Sequence, residues 1–158
     1  MKAEKFENII AQIKKDRNTL SFGLISEPIT QVSVEQFQEL GTALAQSTSL
    51  RDIDLSNNML SQMSVEQLQA LGTALAQSRS LQHIDLSNNM LGQMSVEKFQ
   101  AFGEALGQCE SLHSINLSNS MLDRMSPEQL QAFGEALAQC RSLQTIYLYN
   151  NTLDQMRP

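Results

Sequence analysis

Residues 50–60 read LRDIDLSNNML, and residues 81–91 read LQHIDLSNNML. The phrase returns as LHSINLSNSML at 112–122 and as LQTIYLYNNTL at 143–153. Its opening leucines, Leu50, Leu81, Leu112 and Leu143, stand 31 residues apart. A second phrase, close to MSxExxQAxGxALxQ, follows in each interval. The adjacent units Leu50–Ser80 and Leu81–Ser111 agree at 21 of 31 positions, far above chance for a shared period. A fixed period of this size means stacked supersecondary units, none of which can bury its apolar face alone.

Within the unit Leu50–Ser80, Ile53 and Leu55 alternate with Asp52, Asp54 and Ser56. Alternation with period two makes a short strand with one apolar face. Ser56, Asn57 and Asn58 end it, because Asn and Ser side chains bond to local backbone. Leu60 and Met63 turn inward over the following loop. Ser64 then opens a helix by accepting from free first-turn N–H groups, with Gln67 completing a capping box. Ser33, Ser95 and Ser126 recur at the same place, and Pro127 follows Ser126 at the first helical position. Leu68, Leu71 and Leu75 form the apolar stripe, while Gln67, Gln69 and Gln77 are expected to face water. Gly72 recurs as Gly41, Gly103 and Gly134. A mid-helix glycine costs about 1 kcal/mol against alanine, so its repetition implies close backbone packing.

These leucine phrases resemble the leucine-rich-repeat signature LxxLxLxxNxL, and the helix-bearing second half is similar to the ribonuclease-inhibitor-like subclass. The resemblance covers about residues 20–156. It implies an α/β, right-handed solenoid: about five parallel strands on a concave face and helices on the convex face. Asn58, Asn89 and Asn151 would form a ladder to neighbouring backbone, with Ser120 breaking the column. The LSNN units and Gln-rich helices also resemble leucine-rich-repeat effectors that intracellular bacteria deliver into the host cytoplasm.

The organisation read from the period is one domain over residues 1–158. Residues 1–18 form an N-terminal capping helix with an apolar stripe at Phe6, Ile9, Ile10 and Ile13. Residues 19–142 hold four repeats, and 143–158 a partial C-terminal repeat. In the divergent first repeat, Phe22, Leu24, Ile29 and Val32 stand for Ile53, Leu55, Leu60 and Met63. Met63, Met94, Met125 and Met156 read as core, whereas Met59, Met90 and Met121 point outward.

Charge sets the class of partner. Residues 1–17 carry a net charge of +2 and residues 18–158 a net of −8. An acidic body without a Lys/Arg stripe argues against nucleic acid and anionic membrane surfaces. No apolar run reaches membrane-spanning length and no signal-peptide core is evident, which points to cytoplasmic-type solubility. Cys109 and Cys140, one period apart, read as free thiols. Equivalent residues on neighbouring helices sit about 8–10 Å apart, beyond disulfide reach.

In-register strands align three rows across the sheet. One reads Ser21, Asp52, His83, Ser114, Thr145; the next Gly23, Asp54, Asp85, Asn116, Tyr147; the third Ile25, Ser56, Ser87, Ser118, Tyr149. The protein-binding surface is therefore assigned to Asp52, Asp54, Ser56, His83, Asp85, Ser87, Asn116, Ser118, Tyr147 and Tyr149. It grades from acidic to aromatic and suits a folded protein with a basic patch. The cluster of Asp52, Asp54, His83 and Asp85 lacks a nucleophile and a closed pocket, so neither catalysis nor a metal or cofactor is assigned. Two readings compete with binding. Arg124 stands where other units carry Gln31, Gln62, Gln93 and Gln155, and GTPase-activating relatives of this repeat family use a loop arginine as a finger. The second is self-association: the uncharged strand at 145–149 leaves an edge open to a homodimer. Asn116 and Asn150 carry N-x-S/T patterns, without meaning in the absence of secretion.

Overall fold

The computed structural model describes residues 3–15, 19–21 and 29–152. Helix α1 (Ala3–Lys14) precedes strand β1 (Thr19–Ser21) and α2 (Val34–Gln46). Three further strand–helix pairs follow: β2 (Asp52–Asp54) with α3 (Val65–Ala76), β3 (His83–Asp85) with α4 (Val96–Leu106), and β4 (Ser114–Asn116) with α5 (Pro127–Gln139). Strand β5 (Thr145–Tyr147) is the last described element, and a one-turn 3₁₀ helix links each of the first four strands to its helix. All five strands are parallel and lie in chain order. Parallel strands are about 4.8 Å apart, whereas packed helices need about 8–10 Å. The stack must therefore bend toward the strands, which makes the sheet the concave face of a leucine-rich-repeat solenoid.

The core lies between the two layers. Ile53, Ile84 and Ile115 from the strands, and Leu55, Leu86 and Leu117 just after them, are at most 3% exposed. They meet Leu68, Leu71 and Leu75 of α3 and Phe99, Phe102 and Leu106 of α4, all buried. Each helix from α2 to α5 starts at a serine N-cap. Ser33, Ser64 and Ser126 close full capping boxes with Gln36, Gln67 and Gln129, while Ser95 caps without one because Lys98 occupies the partner position.

The capping glutamines do not simply face water. Gln67 Nε2 donates to the carbonyls of Thr30 (2.7 Å) and Val32 (3.0 Å) in the preceding repeat. Gln129 Nε2 does the same to Gly92 and Met94, and Lys98 Nζ reaches Ser61 O at 2.7 Å. One side chain thus caps a helix and ties two turns together.

The glycine column behaves as expected of close packing. A Cβ at Gly41 would meet Ala74 Cα at 3.1 Å, at Gly72 Ala105 Cβ at 2.8 Å, and at Gly103 Ala136 Cβ at 2.2 Å. Only glycine lets these helices approach so closely.

One register expectation is corrected. Asp52 pairs with Thr19, not Ser21, and Asp54 pairs with Ser21, not Gly23. Ile29 and Val32 nevertheless hold the positions of Leu60 and Met63, both buried. The first repeat therefore carries two extra residues between its strand and its 3₁₀ turn. Phe22, Gly23, Leu24 and Ile25 fall outside the described residues, as do Gln155 and Met156. Helix α1 packs on the first repeat, where Phe6, Ile9 and Ile13 are 2–3% exposed.

Candidate functional site

The strand-to-loop turns determine what the concave face can present. In the turns after β2 to β5, two non-glycine residues each take left-handed backbone: Asn57 and Met59, Asn88 and Met90, Asn119 and Met121, Asn150 and Thr152, with φ between 51° and 59°. Asn tolerates this conformation, whereas Met and Thr accept it at a cost of about 1 kcal/mol or more. The turn holds them there through a buried amide ladder. Asn89 Oδ1 accepts from the N–H of Asn58 (2.8 Å) and Leu60 (3.3 Å), and its Nδ2 donates to Leu55, Leu86 and Ser87 carbonyls. Asn151 repeats the pattern toward Ser120, Leu122 and Leu117. Ser120 is fully buried, but its hydroxyl donates only within its own repeat, to Ser118 O at 3.3 Å. Forced outward by the left-handed turn, Met59 is 49% and Met90 39% exposed.

On the sheet, Asp52, Asp54, His83, Asp85, Ser114, Asn116 and Tyr147 line one shallow depression of about 370 Å³. Their in-register pairing brings them together, because neighbouring strands align Asp52 with His83 and Asp54 with Asp85. His83 is exposed and its Nδ1 bonds to Ser114 Oγ at 2.5 Å, rather than serving the aspartates. A hydroxyl thus does stand beside the imidazole, contrary to the expectation of no nucleophile. It lies on an open face, in a shallow depression accessible to water, and the arrangement offers a hydrogen-bonding surface. Among the described residues no three His, Cys, Asp or Glu side chains come close enough to hold a metal ion.

The second row has a structural duty that its composition hides. Asp54 Oδ1 accepts from Ser56 N (2.9 Å) and Ser56 Oγ (2.6 Å), Asp85 Oδ1 from Ser87 N (2.9 Å), and Asn116 Oδ1 from Ser118 N (3.0 Å). Each side chain closes an Asx turn with one oxygen and shows the rest of its head group to solvent. The third row is mostly lost as a contact surface: Ser87 and Ser118 are 7% and 6% exposed, and Ser118 Oγ accepts from Tyr149 N. Ser56 remains half-buried. At the C-terminal side Tyr147 and Tyr149 stand 42% and 68% exposed, their rings stacked 6.1 Å apart.

Arg124 ends its 3₁₀ turn with an exposed side chain, as do Gln62 and Gln93 at the same place. Cys109 and Cys140 are buried free thiols, and burial, reinforced by Cys109, pushes the Cys140 thiol up to about 11. A neutral buried thiol is a poor nucleophile. A column that escaped notice in the sequence is Ser80, Ser111 and Ser142. The hydroxyls of Ser80 and Ser111 donate to the carbonyls of Ser47 and Ser78 one repeat back, and that of Ser142 to Leu112 O at 2.6 Å, with Cys109 O farther off at 3.4 Å. Its strict recurrence at the period was the available signal.

The Leucine Rich Repeat family model matches residues 49–71 and 80–102. No curated protein sequence matches the chain. Among solved structures, the Caenorhabditis elegans tropomodulin C-terminal domain superposes with a TM-score of 0.59 at 15% identity, covering 94% of this chain and 85% of that one. Leiomodin-1 actin-binding site 2 gives 0.61 at 13% identity, covering 94% and 82%. The leucine-rich-repeat-containing protein LegL7 from Legionella pneumophila gives 0.63 at 24% identity, covering 95% of this chain but 43% of its own length. Repeats, ladder and neighbours together define a leucine-rich-repeat fold. No helix among the described residues is long and apolar enough to cross a membrane.

Proposed function

We propose that this chain is a non-enzymatic interaction module that holds a folded protein with a basic patch against its concave face. The contact residues are Asp52, Asp54, His83, Asp85, Asn116, Tyr147 and Tyr149. The observation that carries the reading is the shared depression, where aspartates of two strands converge beside His83, Asn116 and an exposed tyrosine. Paired aspartates steer a cationic partner, and tyrosines give contact area at low entropic cost. The module works in an aqueous compartment, and its repeat style fits delivery by a bacterium into a host cell. Leiomodin-1's domain was solved as an actin-binding site, so actin belongs among the first partners assayed.

The Asx turns dictate the probe. Reversing charge at Asp54 and Asp85 would also remove the turn acceptor, whereas Asn keeps it, as Asn116 demonstrates. Partners captured from host and bacterial lysates should lose about tenfold or more in affinity to the Asp54→Asn/Asp85→Asn double variant at low salt. Affinity that ignores both substitutions and salt, with circular dichroism unchanged, moves the binding surface elsewhere. GTP turnover in the presence of the protein that falls with Arg124→Ala would overturn the non-enzymatic reading.

A further inference from the structure

Three methionines stand in a row where the backbone resists them. Met59, Met90 and Met121 each take left-handed backbone, with φ of 54°, 56° and 59° and ψ of 45°, 37° and 36°. Asparagine accepts that conformation readily, whereas a long side chain there is strained. Strain repeated down one column points to a use for the side chain. The column four residues on, Met63, Met94 and Met125, has extended backbone and at most 7% exposure, so core packing accounts for it. Packing does not account for Met90, which is 39% exposed although described repeats flank it on both sides.

Hydrogen bonds set the spacing of the row. Asn58 N and Leu60 N, on either side of Met59, both donate to Asn89 Oδ1, and Ser61 N donates to Asn89 O. One repeat on, Asn88 N donates to Ser118 O and Gly92 N to Ser120 O, before and after Met90. The turns therefore continue the stacking of the parallel strands, at about 4.8 Å per repeat. Matching φ and ψ send the three Cα–Cβ bonds the same way at that interval. Metal–sulfur bonds to an ion with a filled d shell are about 2.3 Å, so one ion spans two sulfurs about 4.6 Å apart. The interval of the row matches. We propose that Met90, with Met59 on one side and Met121 on the other, binds a soft monovalent cation, copper(I) or silver(I), through thioether sulfur. Thioethers are soft, neutral donors that select such ions and leave hard cations to carboxylates. The net charge of −8 over residues 18–158 attracts a cation without supplying a competing soft ligand. A thioether carries no proton to displace, so binding is independent of pH, unlike a site built on His83, His113 or the cysteines.

Silver(I) tests this without redox chemistry. Cys109→Ser/Cys140→Ser first removes the two thiols, which also take soft ions; serine holds the same place at Ser47 and Ser78. Calorimetric titration of this variant with silver nitrate, in chloride-free buffer, should give one site whose affinity changes less than about twofold between about pH 5.5 and 7.5. Met90→Asn is the decisive further change, because it removes the central sulfur and installs a residue that accepts left-handed backbone. Binding should weaken by about tenfold or more while the melting temperature holds or rises. Met94→Leu, in the buried column, should leave binding unchanged. Copper(I) kept reduced with ascorbate should rank the same variants in the same order. Absence of silver(I) binding up to about 1 mM overturns the proposal, as does binding that ignores Met90→Asn or follows a histidine titration at about pH 6.5. A Met90→Asn variant that melts well below its parent also overturns it, since the methionine would then serve the packing of its own turn. If silver(I) does not bind but Met90→Asn costs affinity for a captured protein, the proposal fails and the row is an apolar contact surface.

Discussion

Two joints between successive repeats are built from nearly the same sequence and held differently. Where the unit from Leu50 meets the unit from Leu81, Asn89 spans the gap with three hydrogen bonds, to Asn58 N, Leu60 N and Leu55 O. Past the end of α3, Ser78 Oγ also accepts from Leu81 N at 3.0 Å, tying the loop to the start of the next unit. Where the unit from Leu81 meets the unit from Leu112, Ser120 replaces the asparagine and Cys109 the loop serine. The polar bridge is gone, and the backbones close in. Gly92 N donates to Ser120 O at 2.8 Å, against 3.4 Å for the equivalent Ser61 N to Asn89 O. A Cβ on Gly92 would stand 2.0 Å from Met121 O. Behind this turn, Phe99 and Phe133 pack edge to face at 5.8 Å. The comparison teaches that a repeat joint can be satisfied by amide hydrogen bonds or by close approach and aromatic packing. Both departures, Gly92 for Ser61 and Ser120 for Asn89, fall at this one joint.

The sharpest way to break the comparison is Asn89→Ala. It strands the N–H groups of Asn58 and Leu60 and the Leu55 carbonyl in a buried turn, so about 4 kcal/mol of stability should go, read from urea unfolding. A loss under about 1 kcal/mol would mean the ladder is ornamental. Leu86→Ala, in the core where both joints meet, should cost about 3 kcal/mol from lost burial and the cavity left behind. An unchanged denaturant midpoint there contradicts the strand register.

Next is Gly92→Ser, which copies the residue of the preceding turn and should cost about 2 kcal/mol through overlap with Met121 O. Adding Ser120→Asn reopens the turn to the geometry of its neighbour. The double variant should then be about 1 kcal/mol more stable than the sum of the single effects. Strict additivity would show the two departures to be independent. The smallest change belongs to Ser120→Ala, below about 1 kcal/mol, because its hydroxyl makes one long bond inside its own repeat. Asn89→Ala and Ser120→Ala then measure the two kinds of joint on one scale.

Much of the fold was legible in the sequence because the period forces it. Leu50, Leu81 and Leu112 mark each repeat, Ser33, Ser64, Ser95 and Ser126 each helix start, and the alternation around Ile53, Ile84 and Ile115 each strand. These signals are local and say the same thing three or four times. The first repeat was harder. Its helix obeys the period while its strand sits two residues earlier, and only pairing with β2 reveals the slip.

The rows of the candidate site were likewise legible, because in-register strands place Asp52 beside His83 and Asp54 beside Asp85. Which of those residues are free was not. Asp54, Asp85 and Asn116 look alike on the page whether they face a partner or close a turn, and the hydrogen bonds to residues two positions on decide that they do both. Ser87 and Ser118 looked like surface hydroxyls by alternation, but both are buried, and Ser118 Oγ accepts from Tyr149 N of the next repeat. Period and pattern, being properties of neighbours along the chain, determined the architecture. Burial at positions 87 and 118 and the tight contact at Gly92 depend on what the next repeat brings into contact. Only the tertiary structure decided those.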